Sequence, residues 1–102
     1  MQMTKDPLVA IQEWYSSKCN DEWEHCHGIT IRNIDNPGWA VSISGEQNRQ
    51  VTTLKIDRSE LDWIRIDASS EVFSGYCGAG NLRELLLRAT DWLDSTNNSP
   101  SE

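Results

Sequence analysis

Between residues 29 and 76, apolar and polar residues alternate in short segments joined by connections of only a few residues. Alternation with a period of two is the pattern of a strand that buries one of its faces. Parallel neighbours need a crossover of a dozen or more residues between them, and these connections are too short for one. The pattern therefore predicts an antiparallel sheet in this part of the chain.

The first two predicted strands, in residues 28–34 and 39–44, flank the turn Asp35–Gly38. In this turn Pro37 presets one backbone dihedral angle and Gly38 is expected to accept a positive one, so the two strands should pair as a hairpin. Further strands are predicted at Val51–Ile56, at Asp62–Asp67 and, as a short fifth strand, at Glu71–Tyr76.

An amphipathic helix is predicted on each side of the strand region. The first runs from about Pro7 to about Lys18, with Asp6 as its N-cap. The second follows Asn81, which is predicted to cap it in a capping-box-like pattern with Glu84. Each helix has one apolar face at helical spacing, made by Leu8, Ile11, Trp14 and Tyr15 in the first helix and by Leu82, Leu85, Leu86, Ala89 and Leu93 in the second.

The predicted fold class is α+β, an antiparallel sheet of four or five strands with an N-terminal and a C-terminal helix packed on it. The two helices are the available cover for the apolar face of the sheet. The chain has 102 residues, which predicts one domain over residues 1–94. The polar residues 95–102 are predicted to be a disordered tail, and Cys19–His27, which has no clear period, is predicted to be a loop.

The charge of the chain narrows the choice of partner. Sixteen acidic and nine basic residues give a formal net charge of −7. Such a surface repels nucleic acids and anionic membranes and favours a basic protein partner. The alternative is that the acidic charge only keeps the protein soluble. The sequence lacks the pattern of a signal peptide and any segment apolar enough to cross a bilayer, so a cytoplasmic location is predicted. The odd count of three cysteines predicts free thiols.

One segment resembles the catalytic loop of a thiol enzyme. In CGAGNLR, five residues separate Cys77 from Arg83, as in cysteine-dependent phosphatases, and rhodanese-type sulfurtransferases use a related loop. In such a loop a thiolate at a helix N-terminus attacks the substrate and the arginine holds an anion. Tyr76, Glu84 and the antiparallel sheet depart from that pattern, since a carboxylate in the first helical turn would repel the anion. Catalysis by Cys77 is therefore the alternative hypothesis.

The polar segment 19–27 raises the question of a metal. Residues of the types that bind zinc are Cys19, His25, Cys26 and His27, with Cys77 from elsewhere in the chain. The segment lacks the C-x-x-C spacing, and three of these residues are adjacent, so no metal or other cofactor is expected. Acid–base catalysis by His25 with Glu24 or Asp21 lacks a nucleophile beside it in the sequence.

A surface that binds a protein is the leading hypothesis. A tryptophan among carboxylates suits a basic partner, because complementary charge speeds encounter and a buried aromatic side chain supplies affinity. A solvated polar face is the alternative for each residue. The residues predicted for this surface are Asp21, Glu22, Trp23, Glu24 and His25 in one segment, and Asp57, Glu60, Asp62 and Asp67 in another.

Several motifs follow one another in an order that carries a family resemblance. The specific ones are W-E-H at residues 23–25 and D-N-P-G-W at residues 35–39. Supporting residues are Trp14, Tyr15, Gly28–Ile31, Trp63, Phe73, Gly75, Asn81, Leu82 and Trp92. From about Leu8 to about Leu93 the chain resembles the immunity protein 53 family of bacterial polymorphic toxin systems.

The resemblance implies a protein encoded beside a secreted toxin gene. Such a protein stays in the cytosol of the producing cell, binds its cognate toxin and prevents self-killing, without being an enzyme. The acidic charge suggests that this toxin is a nuclease. The resemblance supplies no set of contact residues, and the oligomeric state stays open.

Overall fold

A computed structural model describes residues 6–96. The elements in this range are α1 (Pro7–Lys18), α2 (Trp23–Cys26), β1 (Ile29–Ile34), β2 (Gly38–Ile43), β3 (Thr52–Asp57), β4 (Trp63–Ala68), β5 (Phe73–Gly78) and α3 (Leu82–Leu93). The five strands form one antiparallel sheet, so the predicted α+β class is confirmed. Segment 19–27 is not entirely a loop, because it contains the single turn α2.

The strand order is β1-β2-β5-β4-β3, so two hairpins flank a central strand. The central strand, β5, is the one that the sequence signals least. It carries Gly75 and Gly78 in its six residues, and glycine weakens the alternating pattern that marks a strand. Its position between β2 and β4 supplies ladder partners on both sides, which compensates for this low propensity.

The core lies between one face of the sheet and the helices. Packing of α3 on β5 and β2, and of α1 on α3, covers that face. The buried side chains are Ile11, Val41, Ile43, Ile64, Ile66, Ala68, Phe73, Cys77, Leu85, Leu86, Ala89, Trp92 and Leu93. Both long helices lie on this side, so neither of them covers the opposite face of the sheet, which is here called the open face. Its side chains come from Thr30, Arg32, Ile34, Ala40, Ser42, Thr53, Lys55, Asp57, Trp63, Arg65, Asp67, Ser74 and Tyr76.

The apolar stripe of α1 is narrower than predicted. Pro7 and Ile11 are buried and Trp14 packs against the core, but Leu8 and Tyr15 are exposed. The reason is that α1 rests mainly on α3 rather than flat on the sheet, so a smaller arc of its surface is covered.

Two details of the local predictions differ in the structure. Asn81 is the N-cap residue of α3, as predicted, but its side chain forms no capping bond, because its Nδ2 donates instead to Asp62 Oδ1 at 2.9 Å. Gly38 is not among the residues with a positive φ, and the Asn36–Pro37 peptide bond is cis. Glycine is needed at position 38 because a Cβ there would lie 2.2 Å from the carbonyl oxygen of Cys77 on the neighbouring strand.

The predicted tail begins with an anchored residue. Ser95 Oγ accepts a hydrogen bond from the Gln50 amide at 3.0 Å, and its carbonyl oxygen accepts one from Arg49 at 2.7 Å. The remaining part of the predicted tail, from residue 97 onward, lies outside the described residues.

Candidate functional site

Trp23 anchors the first predicted binding segment to the body of the protein. Its indole makes an edge-on contact with Trp14, with ring centroids 5.4 Å apart, and also lies against Tyr15 and His27. Trp23 Nε1 donates to the carbonyl oxygen of Gly45 at 3.2 Å. Side chains from α1 therefore half-bury this ring, so Trp23 is not a fully exposed aromatic among the carboxylates.

Gly45 permits this arrangement. Its φ is +93°, a conformation that residues with a Cβ rarely adopt, and a Cβ there would lie 2.4 Å from Trp23 Nε1. Glycine thus lets the connection after β2 pass directly beneath the indole.

The other members of this segment have different roles. Glu24 accepts hydrogen bonds from the backbone amides of Asn20 at 2.8 Å and Asp21 at 2.7 Å, and backbone bonds of this kind hold the pKa of Glu24 below its usual range. Glu24 therefore shapes the turn that precedes α2. Asp21, Glu22 and His25 are exposed, so their side chains are accessible to a partner.

Three members of the second predicted segment, Asp57, Glu60 and Asp62, lie at the other end of the sheet. Asp57 pairs with Trp63 where the β3–β4 connection begins, whereas α2 lies beside residues 44–45, which follow the opposite end of β2. Asp67 instead lies toward the α2 end, where it pairs with Thr53 and Ser74, so the nine predicted residues do not form one surface.

Two carboxylates of the second predicted segment form ion pairs with arginines of this chain. Asp62 binds Arg58 at 2.8 Å, and Asp57 binds Arg65 at 3.0 Å. Arg58 also binds Glu84 at 2.6 Å, and this bond holds the pKa of Glu84 below its usual range. Glu60 and Asp67 are exposed and form no ion pair within residues 6–96.

A buried carboxylate, Glu46, is a feature that the sequence does not reveal. It accepts hydrogen bonds from Trp14 Nε1 and from Arg49 Nε, the latter at 2.7 Å, and Lys18 Nζ lies 3.2 Å away. Burial raises the pKa of Glu46, but these donors outweigh burial and the pKa is lowered overall. Because Glu46 lies in a polar connection, no local pattern distinguishes it from an exposed glutamate.

A cleft of about 650 Å³ adjoins Glu46. Trp23, His27, Arg49 and Glu71 are among the residues that line it. The cleft therefore lies between α2, the β2–β3 connection and the start of β5, on the same side of the molecule as the exposed carboxylates of the first segment.

The environment of Cys77 is the opposite of that of an activated thiol. The residue is fully buried in the core, on the sheet face that the helices cover, and burial raises the pKa of the thiol to about 11. Catalytic thiols are partly exposed and have a lowered pKa. The position of Cys77 therefore gives no support to the phosphatase-like hypothesis.

Thiol labelling tests this description of Cys77. Under native conditions at pH 8, we expect a small thiol reagent to modify the exposed Cys19 and Cys26 quickly and Cys77 at least about 100-fold more slowly, because Cys77 is both inaccessible and protonated. All three thiols should react in denaturant. Fast modification of Cys77 in the native protein, followed by mass spectrometry of the labelled peptide, would contradict the buried placement.

Two further structural findings concern metals and membranes. Within the described chain, no three His, Cys, Asp or Glu side chains are grouped so that they could hold a metal ion. No helix in residues 6–96 has the length and apolar character needed to span a membrane.

On the open face, three basic side chains and a tyrosine lie in one row, although they are far apart in the sequence. Arg32, Ala40, Tyr76, Arg65 and Lys55 are direct register partners, one from each strand, in the order in which the strands lie in the sheet. The Arg65 guanidinium lies 5.6 Å from the ring centroid of Trp63. The row depends on strand order and register, so linear sequence could not reveal it.

The chain matches one model of a protein family over most of its length. The model described as Immunity protein 53 matches residues 8–94, which include every helix and strand from α1 to α3 except Pro7. The chain belongs to the immunity protein 53 family. Membership confirms the resemblance seen in the sequence motifs and supports an immunity function. The comparisons with curated proteins and with solved structures gave no match.

Proposed function

We propose that this member of the immunity protein 53 family binds a cognate bacterial toxin and neutralises it in the cytoplasm of the producing cell. The observation that carries the proposal is the family match over residues 8–94, which covers nearly the whole described fold. The buried Cys77 and the closed core around it are consistent with inhibition by binding rather than by catalysis. The net charge of −7 supports a basic toxin, and a nuclease is the proposed class.

The exposed carboxylates are the candidate contacts with such a toxin. Asp21 and Glu22 lie before α2, and Glu60 and Asp67 lie on the β3–β4 hairpin. None of these four residues forms an ion pair within residues 6–96, so a basic partner would not have to displace an internal cation. His25 lies beside the first pair and is exposed too. The remaining predicted residues already make contacts within this chain. They are Asp57 and Asp62, which pair with arginines, and Trp23 and Glu24, which hold the segment around α2.

Growth rescue tests the proposed function. The toxin gene that lies beside the gene of this protein is expressed in a bacterial host, with and without this protein, and the complex is isolated by affinity purification. We expect restored growth and a stable complex, both retained in Cys77→Ala, which keeps the buried site apolar. A toxic partner that is neither bound nor neutralised would refute the proposal, and rescue that is lost only in Cys77→Ala, with the variant still folded, would favour the thiol enzyme.

A further inference from the structure

We infer that the open face of the sheet is where the toxin docks, with Tyr76 as the anchor and a carboxylate-bearing surface of the toxin against Arg32, Arg65 and Lys55. This inference rests on the proposed function and names the surface that carries it. The docking row differs from the predicted acidic segments in the sign of its charge, and of those segments Asp57 and Asp67 lie on the open face beside it.

The row is accessible to a partner. The helices cover one face of the sheet, and the row crosses the other face from edge strand β1 to edge strand β3. Tyr76 lies at its centre, on β5, and is 43% exposed. Tyrosine and arginine are among the residues that most often dominate binding energy in protein interfaces.

The open face is shallowly concave beside Tyr76. The small residues next to Tyr76 are Ala40 and Ser42 on β2 and Ser74 on β5. Together with Arg32 they line a shallow depression of about 340 Å³. A protruding side chain of a partner can therefore enter between Arg32 and Tyr76, where it would be shielded from water.

The row carries positive charge that is partly unpaired. Neither Arg32 nor Lys55 forms an ion pair within residues 6–96, whereas Arg65 is paired with Asp57. The net charge of −7 attracts a basic toxin as a whole, and the positive row is a favourable place for a local carboxylate-bearing patch on that toxin. Charge complementarity therefore requires carboxylates on the contacting surface of the toxin and orients that surface toward the row.

A protein is favoured over a nucleic acid as the occupant of this face. Asp67 and Asp57 lie on the same face, on either side of the row. A phosphate backbone carries only negative charge and would meet these carboxylates together with the negative net charge. A folded protein surface carries both signs and can place cations opposite them.

Binding of the purified product of the adjacent toxin gene, measured by isothermal titration calorimetry, tests the inference. Arg32→Glu and Tyr76→Ala are each expected to weaken binding by about tenfold or more, as for hot-spot residues. Arg83→Glu is the matched control, because Arg83 is exposed on α3, away from the open face, and forms no ion pair in residues 6–96. It makes the same change of charge and should alter the affinity by less than about threefold. Thermal melting of each variant verifies that it is folded.

The outcomes separate the inference from the proposed function. If the wild type rescues growth and both open-face variants bind as tightly as the wild type, the toxin docks elsewhere; the inference is then overturned while the proposed function stands. Binding that only Asp21→Lys or Glu22→Lys weakens would overturn it in the same way. A labelled single-stranded oligonucleotide that binds the wild type and is lost in Tyr76→Ala would assign the face to nucleic acid. A wild type that neither binds nor rescues would overturn both.

Discussion

Replacing Glu46 by alanine is expected to lower the free energy of unfolding by about 3 kcal/mol, the range observed when one partner of a buried ion pair is removed. The carboxylate is the common acceptor for Trp14 on α1, Lys18 at the end of α1 and Arg49 in the β2–β3 connection. Its loss leaves these donors without their acceptor and separates α1 from the connection. Arg49 also donates to Ser95, so the end of α3 should loosen too.

Urea unfolding followed by tryptophan fluorescence measures this effect. The matched control is Glu71→Ala, because Glu71 lines the same cleft but is exposed and is expected to change the unfolding free energy by less than about 0.5 kcal/mol. Equal effects of the two substitutions would show that the network around Glu46 contributes little to stability.

The pH dependence of this contribution has a defined sign. The pKa of Glu46 is lower in the folded state, because hydrogen bonds from Trp14, Arg49 and Lys18 outweigh the effect of burial, which raises it. A carboxyl group of this kind stabilises the fold above its unfolded pKa of about 4.3, and the contribution is lost as the pH falls through the folded pKa. The stability difference between the wild type and Glu46→Gln should therefore be largest near neutral pH and should shrink below about pH 4. A difference that stays constant from pH 7 to pH 3 would contradict the assignment.

Replacing Trp23 by alanine is expected to lower the free energy of unfolding by about 2–3 kcal/mol, somewhat less than for a fully buried aromatic. The indole packs against Trp14, Tyr15 and His27, and its Nε1 donates to Gly45. The substitution removes these contacts and the bond that holds α2 to the connection after β2. The tryptophan of the W-E-H motif is thereby assigned a role in folding.

Two companion substitutions sharpen this test. Trp23→Phe keeps an aromatic ring but removes the Nε1 donor, and it should cost about 1 kcal/mol. Glu22→Ala, at the adjacent exposed position, should leave stability nearly unchanged, because its side chain forms no capping bond. A Trp23→Ala protein with wild-type stability but without toxin binding would instead make the indole an interface anchor.

Features that depend on near neighbours in the chain were accessible from the sequence. The predicted α1 has the observed bounds Pro7–Lys18, because the Asp6 cap and Pro7 are local signals. The strands β3, β4 and β5 begin and end within two residues of their predicted bounds, since alternation is a property of consecutive residues. The fold class followed from these elements and from the short connections between them.

Features that depend on distant partners were decided by the tertiary structure alone. Glu46 and Trp14 are 32 residues apart, and the side chain of Asn81, the N-cap residue of α3, donates to Asp62, 19 residues away, instead of capping the helix. The row across the open face requires β5 to lie at the centre of the sheet and five strands to be in one register. Local pattern carries information about period and turns, whereas burial, charge pairing and surface continuity arise only when separate segments meet in space, which is why the candidate docking surface emerged from the fold.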